Sequence, residues 1–482
     1  MRTQAMTRNH GLALVLGSGL LLAALGCHKT AGAPSATDAA DEGPVIGDAA
    51  VGGAGGMAGG GGSGGGQAGS GGSVRDATSD LPGTSVDTRD AGVCDHELAN
   101  VACWSSFNTS RSEGALHGGA FDGRYVYFTS SDTYGENEMT RYDTQSSFGD
   151  RASWSSFNTA TLPSHPYLFR SAAFDGRYLY YPPFSGQNVA LSYDTQASFK
   201  TATAWSTFDL GAANGTPADK GVYYVGAAFD GRYIYFIPNF QGTAASGLIS
   251  RYDTQGSFAS AASWSSFDMT TVNPSATGYR GVTFDGRYLY LVPYGNYPQL
   301  SPNRAQMVAR YDTQASFTEA ASWATFDTTT LSSAASGYAG AAFDGRYVYL
   351  VPEDSISGNG WVTRYDTQAG FTAAASWSLF STRTVDRNAY GFNGAVFDGR
   401  YLYLVPSMER LLARYDTQAV FDAASSWSTF DLYDVGGKDG QFAGGVFDGR
   451  YVYLVPFSSG IVVRFDAKTP PGLPARNNAS FY

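Results

Sequence analysis

Lysine, histidine and cysteine are scarce in this sequence: five, five and three residues out of 482. With only 15% of residues charged, few Lys and 60 Gly, the chain is unsuited to helical bundles and coiled coils, whose exposed faces need Lys and Glu. A formal net charge of −11 offers no basic footprint for nucleic acid or for an anionic membrane surface. Gly-x-Ser-x-Gly occurs only inside the glycine run, at Gly61–Gly65, where no strand and helix flank it to make an elbow, and no Cys-x-x-Cys pair or His-Glu-x-x-His motif occurs, which removes the commonest hydrolase, redox and zinc signatures. Nothing in this inventory calls for a cofactor or a bound metal. Aromatic residues are missing from the first 93 positions, so all 70 Phe, Tyr and Trp fall between 94 and 482. Within the aromatic-free part, 14 of the 22 residues from Val51 to Gly72 are glycine, and such a stretch has nothing to bury.

The first 27 residues read as an address. Arg2 and Arg8 precede an apolar run from Leu12 to Leu25 that ends in Ala24-Leu25-Gly26-Cys27, the layout of a secretory signal. The segment resembles a bacterial lipoprotein signal, in which the Cys after a small residue is lipidated; Ala24 stands where Leu is usual. That resemblance implies lipid on Cys27, and His28 in the next position implies sorting to the outer membrane or cell surface. The alternative is an ordinary cleaved signal with an incidental Cys. An apolar run of about 14 residues is too short to span a bilayer. Residues 28–93 are a Gly/Ala/Ser-rich tether with a root-mean-square reach of about 45 Å, and residues 470–482 are a C-terminal tail.

From residue 94 to 469 one pattern recurs. Seven of the eight Trp lie in Trp-x-x-Phe frames, at 104, 154, 205, 264, 323, 377 and 427. Between them Phe-Asp-Gly-Arg-Tyr occurs seven times, starting at Phe121, Phe174, Phe229, Phe284, Phe343, Phe397 and Phe447. Arg-Tyr-Asp-Thr-Gln starts at Arg141, Arg251, Arg310, Arg364 and Arg414, with altered copies at Ser192 and Arg464. Several short alternating segments per period of 50 to 59 residues predict an all-β, seven-bladed β-propeller of four-stranded antiparallel blades. In the fourth copy the spacing predicts strands over Tyr279–Phe284, Arg287–Val292, Met307–Thr313 and Ser322–Phe326, with Asp285-Gly286 as the hairpin turn between the first two. The first strand has the smallest side chains and belongs at the axis.

No Trp-x-x-Phe follows Asp466, and Trp104-Ser105-Ser106-Phe107 has no blade before it. The N-terminal strand is therefore expected to pair into the last blade and close the ring. Leu98 takes the place of the repeat's Phe, six residues before its Trp. Cys94 and Cys103 flank this segment, and export would allow a disulfide between them. The architecture resembles seven-bladed propellers of the broad kelch or WD type over residues 98 to about 468. Neither the double-glycine kelch signature nor the WD pairs are reproduced, so the resemblance implies a fold and no residue roles. With only His117 and His165 in the ring beyond its closing segment, a kelch-type copper oxidase site is excluded.

The copies can be compared with one another. Where they agree, at the Asp and Arg of Phe-Asp-Gly-Arg-Tyr and at the Asp of Arg-Tyr-Asp-Thr-Gln, the expected roles are turn-making for Asp-Gly and, for the Arg, pairing with the third-strand Asp or capping backbone carbonyls within the blade. Where they diverge, a ligand can be read. The first-to-second and third-to-fourth strand connections are nearly invariant and belong on one face; the other connections vary and mark the opposite face as the binding face. Candidates there are Tyr294, Tyr297 and Arg304 in the longest loop, Glu353 and Asp354 in the next blade, and Trp361, the one Trp outside the frame. Trp361 is read as a stacking platform for a sugar or an anchor for a protein, or as a cover for its own blade. Four residues before each repeat Phe the copies read His117, Arg170, Val225, Arg280, Ala339, Asn393 and Ala443. Placed at the mouth of the channel, this ring could take an anionic group, or else be solvated or pair with loop carboxylates.

These observations favour a non-catalytic, membrane-tethered recognition or scaffold propeller binding extracellular carbohydrate or protein and acting as a monomer. No catalytic residue is assigned. The alternatives are a carboxylate-based glycan hydrolase or lyase, drawing on Glu113, Glu136, Glu138, Glu353 and Asp354, and a structural envelope protein.

Overall fold

The computed structural model describes residues 93–467 apart from 111–115, 131–136, 186, 216–220, 295–305, 354–358, 408, 437, 439–440 and 458. Cys27, Tyr297, Arg304, Asp354, Glu113 and Glu136, the signal, and almost all of the tether and the tail lie outside the described residues.

Seven antiparallel sheets form the blades; six are ordered from inner to outer strand as the chain runs, and the seventh takes its outer strand from the N-terminal end of the ring. Blade four is typical: Tyr279–Phe284, Tyr288–Pro293, Met307–Asp312 and Trp323–Asp327. Its strands differ from the expected ones by a residue at several ends, and the turn shifts with them. Asp285 N donates to Tyr288 O, so the two-residue loop is Gly286-Arg287, not Asp285-Gly286. Gly286 has φ +99°, a backbone region that L side chains avoid. Leaving Arg287 outside the strand frees its side chain for the third strand. Blade three departs from four strands: its second strand runs on to Gln241 and folds back as Ala244–Ala245 around Gly242, giving a fifth. Blade two has an inner strand of only two residues, Ala173–Phe174. One short α-helix, Leu210–Asn214, follows its outer strand.

Inner strands of consecutive blades touch all the way round. Small residues make this possible, since a Cβ on Gly281 would lie 2.8 Å from Gly340 Cα and one on Gly340 3.0 Å from Gly394 Cα. The outer rim is joined by aromatic stacking. Each Phe of a Trp-x-x-Phe lies flat on the Trp of the next blade, from Phe107–Trp154 at 4.5 Å to Phe267–Trp323 at 5.2 Å between centroids. Such pairs contribute roughly 0.5–1.5 kcal/mol each beyond burial, which accounts for the spacing of the motif. Each framed Trp also donates its Nε1–H to the carbonyl six residues earlier, as Trp323 does to Phe317 O at 3.0 Å.

The closure follows the sequence. Trp104–Asn108 pairs with Ile461–Asp466 as the outer strand of blade seven, and Trp104 stacks on Phe430 of blade six. Trp104 Nε1 donates to Leu98 O, as its counterparts do to a Phe. Cys94 and Cys103 are joined by a disulfide. In the regular joints the strand-three Arg is clamped between two rings, Arg310 lying over Tyr288 at 4.3 Å and over Phe371 of the next blade at 4.6 Å. At the closure Leu98 removes the second ring, and Arg414 instead donates to Glu97 Oε2 at 3.1 Å.

Candidate functional site

On the face of the Gly-Arg loops, the repeated polar residues all have local work. In each blade the turn Asp accepts from two backbone N–H groups and from a buried Tyr hydroxyl: Asp285 Oδ1 from Arg287 N and Tyr288 N, Oδ2 from Tyr290 Oη at 2.7 Å. Burial first, then that carboxylate, pushes the Tyr290 phenol far above its ordinary range. Arg287 reaches the Asp that ends the third strand, with Nη2 2.7 Å from Asp312 Oδ2 and Nε 3.3 Å from Oδ1. The same pair recurs in the other six blades, from Arg124–Asp143 to Arg450–Asp466. The guanidinium holds the Asp312 carboxyl below the usual range. The expected Arg–Asp pairing within each blade is thus present throughout.

The opposite face is built differently. In six blades the register of the inner strand slips around the variable ring position: in blade four Tyr279 pairs with Pro293 and Gly281 with Val292, so Arg280 is the extra residue of a β-bulge. Val225, Ala339 and Ala443 sit in the same slip, and in blade six the slip spans Asn393 and Gly394. Blade one slips between Leu116 and Gly119, around His117. Bulges re-aim a side chain, and here they turn the varied residues inward. Electrostatic interaction links His117 with both Arg170 and Arg280, residues of blades one, two and four, which can meet only at the axis. All four polar members of the ring are buried: His117 1% exposed, Arg170 7%, Arg280 2% and Asn393 2%.

A second set of side chains joins them. The residue following the proline at or near the end of the second strand, which in blade three lies within it, reads Phe184, Asn239, Tyr294, Glu353, Ser407 and Phe457 in blades two to seven. Arg170 lies over the Phe184 ring at 3.7 Å and Arg280 over Tyr294 at 4.1 Å. His117 is 5.1 Å from the Phe457 ring, and Arg280 Nη1 is 4.0 Å from Glu353 Oε1 with both side chains 2% exposed. Asn393 Nδ2 donates to Phe442 O, and Asn239 Nδ2 to Tyr279 O. Burial and the two guanidinium charges hold His117 well below its ordinary pKa, so it is neutral. Neither of its ring nitrogens has a hydrogen-bond partner among the described residues, nor has Asn393 Oδ1.

Of the sequence candidates, His117, Arg170, Arg280, Tyr294 and Glu353 therefore come together, and Asn393 lies buried at the same ring position of blade six. Trp361 does not sit on a loop: it opens the third strand of blade five, pairs with Ser381 and is half-buried. The strand starts there because Asn359 Oδ1 accepts from Trp361 N. Glu138 likewise opens a strand, in blade one. Phe184, Asn239, Ser407 and Phe457 escaped sequence reading, although the same comparison between copies, applied after the proline, singles them out. At the closure Cys94 Sγ, His96 Nδ1 and the Asp466 carboxylate lie within 4.8 Å of one another. This is no free ligand set, because the sulfur is committed to the disulfide and Asp466 to Arg450.

No protein-family model and no curated protein matches the sequence. The fold is similar to that of solved structures at about a tenth sequence identity. YCF48 from Cyanidioschyzon merolae is 12% identical with a TM-score of 0.48, over 76% of this chain and 99% of that one. The Cps50 (Swd1) β-propeller domain of Myceliophteria thermophila is 10% identical with a TM-score of 0.46, over 74% and 97%. A chain of the Mitotic Checkpoint Complex is 10% identical with a TM-score of 0.48, over 79% and 99%.

Proposed function

We propose that this chain is a non-catalytic recognition or scaffold propeller, exported and tethered at the outer membrane or cell surface through Cys27. It binds an anionic group of an extracellular carbohydrate or protein at the axial mouth of its variable face. The observation that carries this reading is the convergence of His117, Arg170 and Arg280 from three blades into a buried cluster that the fold does not require, with Asn393 buried at the same ring position of a fourth. Three of the seven blades close the same position with Val225, Ala339 and Ala443, so an apolar residue serves the architecture equally well. A neutral imidazole buried without a hydrogen bond costs stability, and a ligand that accepts from it would offset that cost. The hydrolase or lyase alternative needs two carboxylates about 5 to 9 Å apart; at the described mouth, Glu353 faces Arg280 instead.

The test is an array of acidic and neutral glycans and acidic peptides probed with the full chain and with His117→Leu and Trp361→Ala. Binding of acidic probes that His117→Leu abolishes and Trp361→Ala spares is the expected result. An array without acidic hits, or hits that survive His117→Leu, sinks the reading.

A further inference from the structure

The opposite, repeated face holds residues that recur without a role in the fold. In six blades the third strand ends at the Asp of Asp-Thr-Gln, with Thr and Gln in the turn that follows. The Asp and Thr are explained: Asp312 binds Arg287, and Thr313 Oγ1 donates to Arg287 O at 2.8 Å. The Gln contributes only its backbone, Gln314 N donating to Asp312 Oδ1 at 3.1 Å, a bond that any residue but proline would make. Its side chain is exposed in all six copies and makes no hydrogen bond among the described residues. The next position has drifted through Ser146, Ala197, Gly256, Ala315, Ala369 and Ala419, and the one after it through Ser, Gly and Val. Gln has not drifted. The seventh blade reads Ala467-Lys468 at this point, and there the closing segment covers the corner, with His96 Nδ1 3.0 Å from Asp466 O.

Beside each Gln stands a guanidinium with an unused edge. Asp312 Oδ1 is shared by Gln314 N and Arg287 Nε, so the two residues flank one carboxylate. Arg287 spends Nε and Nη2 on that carboxylate, its side chain is 51% exposed, and no hydrogen bond among the described residues engages Nη1. A guanidinium has five N–H donors, so the outer Nη1–Nη2 edge keeps two parallel ones facing solvent.

We propose that these six Arg–Asp–Gln corners form one multivalent surface for a neutral polysaccharide. Each outer guanidinium edge donates to a pair of neighbouring hydroxyl oxygens, and each Gln carboxamide supplies one donor and one acceptor more. The ligand is neutral because every Arg is already balanced by its Asp, and a net charge of −11 disfavours a polyanion. One corner alone binds weakly; six on one rigid face raise the affinity for a polymer by roughly 10²–10⁴ without any new contact. This surface is separate from the mouth and does not depend on the function proposed for it.

The experiment measures self-association of the full chain and its retention by soluble amylose, dextran and polygalacturonate, against maltose and isomaltose as competitors, for the wild type, for His117→Leu and for a variant with all six Gln changed to Ala. Expected are at least 100-fold tighter binding to one polymer than to its disaccharide, loss of that binding in the six-Ala variant with an unchanged melting temperature, and full retention in His117→Leu. Equal affinity for polymer and disaccharide, or no binding of either polymer, overturns the proposal. So does binding that survives the six substitutions or disappears with His117→Leu. Preference for polygalacturonate over both neutral polymers overturns the neutral-ligand assignment, and self-association abolished by the six substitutions shows the face to be an interface between copies.

Discussion

On the face of the Gly-Arg loops each recurring Asp and Arg is paired within its own blade, and the same bonds repeat seven times; at the mouth of the other face a neutral His is buried with no partner among the described residues. Both faces are ends of the same strands. The difference lies in repetition: a residue preserved in every copy is solving a problem that every blade has, whereas His117, Arg170, Arg280 and Asn393 each occur at a position that other blades fill with Val or Ala. Polar burial that the architecture does not ask for is where function is expected to cost stability.

The largest effect that would break this contrast is on the repeated face. Asp398 is fully buried, and burial raises its carboxyl above the ordinary range even though it accepts from Arg400 N, Tyr401 N and Tyr403 Oη. Asp398→Ala leaves those donors unpaired and is expected to cost about 3 kcal/mol or more in chemical denaturation. A loss below about 1 kcal/mol would mean that these bonds do not hold the blade.

His117→Leu should move stability the other way, by about 1–2 kcal/mol, since it removes an imidazole that lacks a hydrogen-bond partner among the described residues. The pH profile sharpens this. The folded-state pKa of His117 is depressed, so below about 6.5, its ordinary value, the unfolded chain takes a proton that the folded chain refuses, and stability falls as pH falls. His117→Leu flattens that part of the curve. The strand-end carboxylates act lower: Asp143, Asp194, Asp253 and Asp312 are held below their ordinary pKa by an Arg, so their contribution is present at neutral pH and is lost as pH drops through the ordinary carboxylate range and below.

Beside the mouth, the hydroxyls of Tyr224 and Tyr338 meet Ser250 and Thr363 at 2.6 Å, while blade four has Ala309 in that place and leaves Tyr279 Oη without a partner among the described residues. Blade one shows the converse, with Thr140 Oγ1 unpartnered where Leu116 replaces the Tyr. Ala309→Ser should stabilise by about 1 kcal/mol. The smallest effect belongs to Arg287→Gln: a half-exposed pair contributes little, and no shift in melting temperature should be resolved.

Most of the fold was legible because it is written seven times. Trp-x-x-Phe, the Asp-Gly hairpins, the orphan first Trp and the two flanking Cys gave blade count, strand order, closure and disulfide. The mouth was half legible. The ring four residues before each Phe stood out by its variation, but its placement on a bulge comes from how closely Gly281, Gly340 and Gly394 pack at the axis, which alternation of residue types cannot show. Trp361 misled because an unframed Trp in a varied stretch looks like a loop residue, although Asn359 starts a strand there. The fifth strand of blade three depends on the turn at Gly242, in a connection where the copies share no pattern.

The most direct test of the two-face account is calorimetric titration of galacturonate and N-acetylneuraminate, with galactose as the neutral control, into the wild type, His117→Leu and the six-Gln variant. The account predicts that an acidic sugar binds the wild type and the six-Gln variant alike and binds His117→Leu at least tenfold more weakly. Binding that is indifferent to His117 but lost with the six Gln, or an acidic sugar bound no better than galactose, would contradict it.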